Sequence, residues 1–480
     1  MSLKKVLTSS SLYTIGNVLQ NGVVFLLLPI YTRYVSTKEY GAVSLIFAMG
    51  TVISLFFTLG LQNTVVRFTY DKPNDADYLN RLYGTLFTFI GMVSAAVFVV
   101  FVFLAKPIVQ LFCDADFWLP YVYVMLVSVC TLPFYEILQR IMQAHYEATR
   151  YVVQQLLYFF LGSGISILLV VGLKTGGLGI IIGQAVASVF FCVYTWSYSI
   201  RRYKLGIDLP LLRECLSYSV PLLPNRIAGF LPRFMDKAFL INYSAAITGI
   251  YAAGYRLGNG LSFLTQGFHL ALLPWFYGKM GDGAAARKEI KLVARRTMLL
   301  IACLGLMVSL FAEEAISLIL GPAYHDAWKV LPIAAFVVVF NRLKIFWLMT
   351  LTYNKSGTRY APAATYTFAI LCFLFNIWLI PHYGMMGAAF AILLARFLST
   401  FVMLYYSLKV ENINYPIMEM YAIAIGAFIF SLVAYIELSW LIIVKILLAL
   451  VAAFIVWVMA RDELRLILRA LRQKPLVADT

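Results

Sequence analysis

Long apolar runs, interrupted only briefly by polar residues, set the reading of this chain. About fourteen are long enough for membrane helices, which need about 20 apolar residues each. They fall near residues 10–34, 41–61, 81–105, 118–141, 151–173, 177–199, 213–234, 247–275, 296–320, 328–352, 360–381, 384–408, 416–437 and 440–460. The connections between them hold about twenty residues at most, which leaves no room for a soluble catalytic domain. The expected fold class is an all-α integral membrane protein.

The pattern also repeats. Asn17 recurs as Asn225, Gly41 as Gly249, Gly176 as Gly384 and Gly179 as Gly387, each 208 residues on. Thr149-Arg150-Tyr151 recurs as Thr358-Arg359-Tyr360, one residue further displaced. A shared offset across several ordered positions marks an internal repeat. Each copy holds about six helices. An even number brings the second copy in from the same side, as in parallel repeats about an axis along the membrane normal. The expected organisation is a six-helix lobe over 1–208, a second over 209–412, and two further helices with a basic tail over 413–480, with a cleft between the lobes.

Composition agrees. Of 480 residues 62% are hydrophobic and 12% charged, and the mean hydropathy is +0.85. A soluble domain carries about 25% charged residues. The net charge of +16 does not point to nucleic acid, because the basic residues sit in short loops between apolar runs. With the N-terminus inside, about 25 of the 38 Lys and Arg residues fall on the cytoplasmic side and about six outside. Both termini are then cytoplasmic. The first run has no small-residue cleavage site and is polar at Asn17, Gln20 and Asn21, so it reads as an uncleaved first helix. The six cysteines show no ligand spacing and predict neither a metal site nor a disulfide.

Against this apolar background, Arg226, Arg256, Arg342, Lys344 and Arg396 stand well inside predicted spans. Facing lipid, each would cost roughly 2.5–3.5 kcal/mol. The second copy offers almost no Asp or Glu at that depth to pair with them. They are therefore candidates to line a wet cavity and hold an anionic headgroup. None of the four arginines is a cation 208 residues earlier, where Val18, Ala48, Phe134 and Ser188 stand. Lys344 corresponds to Glu136, a charge of opposite sign.

Other candidates concern gating or coupling. Glu136 is the one acid deep in the first lobe; Arg140, four residues on, is its expected partner. Prolines 221, 224 and 232 predict a broken seventh helix around Asn225 and Arg226. Arg233 and Asp236, three apart, are placed to pair. Asn17, with Gln62, Asn63 and Arg67, is a candidate cleft residue or interhelical hydrogen-bonding group. The stripe of arginines from Arg461 to Arg472 predicts a basic helix on anionic headgroups. No nucleotide-binding loop, GxSxG or HExxH is present, so no enzyme activity is expected.

Several phrases carry a resemblance: the run from Tyr13 to Tyr34, Glu39-Tyr40-Gly41, Gly60-Leu61-Gln62 leading to Val66-Arg67-Phe68, and Asp236-Lys237 followed by Gly249-Ile250-Tyr251. With the six-plus-six-plus-two plan they resemble, over nearly the whole length, the polysaccharide flippases of the multidrug/oligosaccharidyl-lipid/polysaccharide exporter superfamily, the Wzx-type O-antigen and capsule translocases. The resemblance implies an undecaprenyl-diphosphate-linked glycan as substrate, moved from the inner to the outer leaflet of a bacterial cytoplasmic membrane by alternating access. It implies no cofactor; the driving force is left among H+, Na+ and the membrane potential. Membrane lipids are the other expected partners, with a polysaccharide polymerase as an accessory one, and the monomer as the working unit. A lipid II flippase and a drug or metabolite antiporter are the rival readings on the same fold.

Overall fold

The computed structural model describes residues 25–110, 115–280, 283–354, 356–436, 443–454 and 456–457. Among them the regular elements are all helices. They are α1 (25–34), α2 (Thr37–Thr58), α3 (Gln62–Thr69), α4 (Ala76–Gln110), α5 (Ala115–Ala144), α6 (Ala148–Ile167), α7 (Gly177–Arg202), α8 (Leu209–Ser219) and α9 (Leu223–Ile241). There follow α10 (Ala245–Gly258), α11 (Leu261–Met280), α12 (Gly283–Leu310), α13 (Ala312–Ile319), α14 (Leu331–Tyr353), α15 (Ala361–Val410), α16 (Ile417–Ser431) and α17 (Ile443–Phe454). Nine helices among the described residues are long and apolar enough to cross a membrane. Asn17 and the arginine stripe of the tail lie outside the described residues.

One run ends differently from the sequence expectation. The stretch 247–275 is divided between α10 and α11, with a break at Asn259–Gly260. The stretch Ala361–Val410, labelled α15, is two helices joined by non-helical backbone at Gly384, as the expected spans 360–381 and 384–408 require.

The chain forms two compact units. Unit 1 comprises the residues up to Ala253 with Ile319–His325 and Ala369–Ala388. Unit 2 comprises Gly254–Leu318, Asp326–Phe368 and the residues from Ala389 onward. In unit 1, α5 packs on α7, α4 and α2, and α2 also packs on α9. Leu82, Leu86, Phe87, Ile90, Ile137 and Leu138 form part of its core and are fully buried. The segment 319–325 is tied to the end of α1: the Gly321 N–H donates to Thr32 Oγ1 (3.1 Å) and the Tyr324 hydroxyl to the Val35 carbonyl (3.0 Å). In unit 2, α12, α14 and α16 pack together, with Phe336 against Phe428 and Phe340 against Phe397.

The repeat reaches the backbone. Gly176, which precedes α7, has φ 62° and ψ −146°; Gly384, 208 residues on, has φ 55° and ψ −128°. Both take a conformation that a Cβ would strain. Inside unit 1 the repeated glycines also meet. A Cβ on Gly41 would run into the Ala245 carbonyl, and one on Gly249 into that of Thr37. Since 37 and 245 share the 208 offset, α2 and the start of α10 make the same contact in both directions. That is the signature of a two-fold interface, brought close by small residues.

The phrases behind the resemblance have local roles. Ser36 caps α2 in a reciprocal box with Glu39. Asp236, buried on α9, accepts from the Tyr251 hydroxyl of α10 (2.7 Å) and from the Lys237 N–H (2.7 Å), with Lys237 Nζ 3.6 Å away. The expected Arg233–Asp236 pair is replaced by these contacts, and Arg233 is exposed.

Candidate functional site

One cavity, of about 670 Å³, lies wholly within unit 1. Each of its walls follows from a helical stripe. On α5, Tyr135, Glu136, Gln139 and Arg140 share a face at four-residue spacing. On α6 the stripe is Tyr151, Gln155 and Tyr158. The other side of α6 exposes Val153, Leu157 and Phe160, as a lipid-facing surface would. Thr51, Ser54 and Leu55 of α2, Gln62 of α3, Leu132 of α5, Gln184 of α7, and Arg226 with Phe230 of α9 complete the lining.

Arg226 reaches the cavity because the seventh helix is broken, as its prolines predict. α8 ends at Ser219, the turn Val220–Leu222 follows, and α9 begins with Pro224 in its first turn. Arg226 therefore sits in the first turn of α9, just beyond the Val220–Leu222 turn. Its guanidinium donates to Asn63 Oδ1 at 2.8 Å. Arg140 and Glu136 lie within electrostatic range of it.

The cavity thus holds two arginines and one carboxylate. Among the described residues Glu136 makes no ion pair or hydrogen bond; Arg140, its expected partner, donates instead to Gln143 Oε1 (2.8 Å). Glu136 is left facing the cavity between two cations. Uncharged groups form the rest of the polar wall. Tyr135 and Tyr158 stack with centroids 4.7 Å apart and planes 9° apart, and Gln184 donates to the Tyr158 hydroxyl. Gln139 donates to Gln154 Oε1 (3.1 Å), and Gln154 in turn to the Tyr194 hydroxyl (3.2 Å).

The remaining cations belong to unit 2. Arg342, on α14, donates through Nε to Thr265 Oγ1 (2.7 Å) and through a terminal nitrogen to the Ser262 carbonyl (2.8 Å), joining α14 to α11. The Arg396 guanidinium lies 3.5 Å from the centre of the Phe368 ring, a cation–π contact. Lys344 is half-buried and within electrostatic range of Arg396. Arg256 is exposed in the last turn of α10. Asn225 is half-buried in unit 1, and its Oδ1 has no hydrogen-bond partner among the described residues.

Of the polar residues proposed as cleft groups, Gln62 lines the cavity and Asn63 binds Arg226, whereas Arg67 pairs with Asp71 away from it. The tyrosines and glutamines of α5, α6 and α7 were not among the sequence candidates. Their signal was there, as polar stripes at helical spacing on otherwise apolar helices.

Known proteins are similar to this chain in sequence or in fold. The chain is 26% identical over 388 residues to a lipid III flippase of Escherichia coli, covering 75% of this chain and 86% of that protein. It is 21% identical over 330 residues to a protein named for the Lsg locus of Haemophilus influenzae, covering 67% and 78%. Among solved structures, the lipid II flippase MurJ in an inward closed conformation matches with a TM-score of 0.73 at 14% identity, over 94% of this chain and 99% of that one. Residues 30–329 match the family described as polysaccharide biosynthesis protein. The chain belongs to that family, and its fold is that of a multi-pass membrane protein.

Proposed function

We propose that the chain carries an undecaprenyl-diphosphate-linked oligosaccharide from the inner to the outer leaflet of the bacterial cytoplasmic membrane, with Arg226 and Arg140 holding the diphosphate. The observation that carries this reading is the unit 1 cavity. Two arginines and a lone carboxylate share it with a neutral polar wall. Arginine matches phosphate oxygens in geometry and charge. A cavity with more cation than anion suits an anionic headgroup and disfavours cationic drugs, which argues against the antiporter reading. The E. coli relative, a lipid III flippase, supports a lipid-linked saccharide as the class of cargo.

In this account the headgroup enters from the cytoplasm and the polyprenyl tail stays in lipid. Glu136 is the counter-charge that the arginines hold when the diphosphate is away. With the inside negative, each negative charge moving outward is favoured by about 2.3 kcal/mol per 100 mV. The membrane potential is therefore a sufficient bias, and neither H+ nor Na+ need be coupled.

The test is complementation of a strain lacking its own exporter. Arg226→Ala, expressed at the normal level, should lower surface polysaccharide and leave lipid-linked precursor in the inner leaflet. Unchanged export by Arg226→Ala, Arg140→Ala and the double variant would remove the arginines from the mechanism.

A further inference from the structure

A second groove of unit 1, of about 500 Å³, runs between α6 and α7. On α6 its stripe is Arg150, Val153 and Leu157, a different face from the Tyr151, Gln155 and Tyr158 that line the cavity. Groove and cavity share no lining residue. The two ends of the groove differ in character. At one end Arg150, near the start of α6, and Arg202, the last residue of α7, line it together. The Arg202 guanidinium stands 5.5 Å from the centre of the Tyr198 ring, and Arg201 adjoins it beside Tyr194 and Tyr198. All three arginines are exposed. Away from this end the walls are the exposed apolar side chains Val153, Leu157 and Phe190. Phe190 lies twelve residues before Arg202, about 18 Å along α7 and so roughly one leaflet of a hydrocarbon core of about 30 Å. Phe190 also borders an apolar groove between α5 and α7, where Val124, Val127, Val186 and Val189 continue the surface.

Arginines at the ends of spans commonly snorkel to water. Two features go beyond that here: cations from two helices converge on one groove, and the groove is apolar for the depth of a leaflet. A cationic mouth on an apolar slot is complementary to an anionic lipid, and the excess of Lys and Arg assigns this end to the cytoplasm. Glu147 pairs with Arg150 at 3.0 Å and offsets one of the three cations. The two that remain match the charge of a headgroup with two phosphodiesters. We infer that the α6–α7 groove binds an anionic phospholipid of the inner leaflet with two phosphodiesters in its headgroup, the phosphates on Arg150, Arg201 and Arg202 and an acyl chain along Leu157 and Phe190. Undecaprenyl diphosphate is also anionic, but in this groove its headgroup would lie outside the cavity. The site is therefore assigned to a resident membrane lipid, which braces α6 against α7.

Native mass spectrometry of the delipidated full-length chain, titrated with cardiolipin, phosphatidylglycerol or phosphatidylcholine, tests the inference. An arginine beside an anionic lipid is worth roughly fivefold in affinity. The wild type should therefore prefer cardiolipin to phosphatidylcholine by about 25-fold, with phosphatidylglycerol between them. In the Arg150→Gln, Arg201→Gln, Arg202→Gln triple variant the ratio should fall toward one. Leu157→Trp keeps the arginines and fills the slot from an exposed position, so it should also weaken cardiolipin binding. Elution as a single folded species and an intact melting transition serve as controls for each variant. The cavity double variant Arg226→Ala, Arg140→Ala should keep the full preference. A wild type with no preference, or a preference that survives in the triple variant, would overturn the site. So would an unaffected Leu157→Trp, which would reduce the arginines to diffuse surface charge. Loss of the preference in the cavity variant would place the lipid in the cavity, and displacement of cardiolipin by undecaprenyl diphosphate at lower concentration than by phosphatidylglycerol would give the groove to the cargo; either result contradicts the inference.

Discussion

Arg226 and Arg342 are both arginines set deep in apolar helices, yet the fold treats them differently. The Arg342 guanidinium is fastened to α11 at Thr265 and Ser262. Among the described residues Arg226 makes one bond, to Asn63, and otherwise opens on a cavity shared with Glu136 and Arg140. The difference lies in the neighbours and not in depth. A cation whose donors are used by the protein joins helices; a cation at a polar cavity can exchange its partner for a ligand. Buried charge alone therefore does not identify a binding group.

Four variants, one of them double, bear on this contrast. The largest effect should come from Arg226→Ala with Arg140→Ala, which removes both cavity cations; charge-assisted hydrogen bonds are worth about 1.5–3 kcal/mol each. Headgroup affinity should fall on the order of 100-fold or more, read by binding of undecaprenyl diphosphate. Arg226→Lys keeps the charge but loses the planar fork, so its loss should be smaller, about tenfold. Arg342→Ala should act on stability instead, costing about 1–3 kcal/mol as Thr265 and Ser262 lose their donor. Its melting temperature should fall while the affinity drops less than in Arg226→Ala; the reverse ranking would break the comparison. Glu136→Gln should have the smallest effect and the opposite sign. Removing the counter-charge should tighten headgroup binding by roughly three- to tenfold at ordinary ionic strength, an energy on the scale of one screened charge pair, and slow release in a turnover assay.

Much of this was legible in the chain. Apolar run length located most helices within a few residues, and the prolines at 221 and 224 announced the break that brings Arg226 to the cavity. The 208-residue offset linked glycines that do share a conformation, at 176 and 384, or touch, at 41 and 249. The break at Asn259–Gly260 was hidden because apolar residues flank it on both sides. Depth along a helix grouped Arg226 with Arg342, since residue spacing gives height but not the neighbouring helix. For the same reason Arg140 looked like the partner of Glu136, although it turns to Gln143. The tyrosine and glutamine stripes of α5 and α6 could be read as polar faces. That they face one another across a cavity depends on the packing of α5, α6 and α7, which is a tertiary property.

The central claim is that Arg226 holds the anionic headgroup during translocation. The most direct test is flipping of an undecaprenyl-diphosphate-linked oligosaccharide in proteoliposomes of the purified chain, with an inside-negative potential imposed. The account predicts protein-dependent transfer in the wild type, partial transfer in Arg226→Lys and, with protein incorporated at equal density, transfer near the protein-free rate in the Arg226→Ala, Arg140→Ala double variant. Transfer by that double variant at the wild-type rate would contradict it.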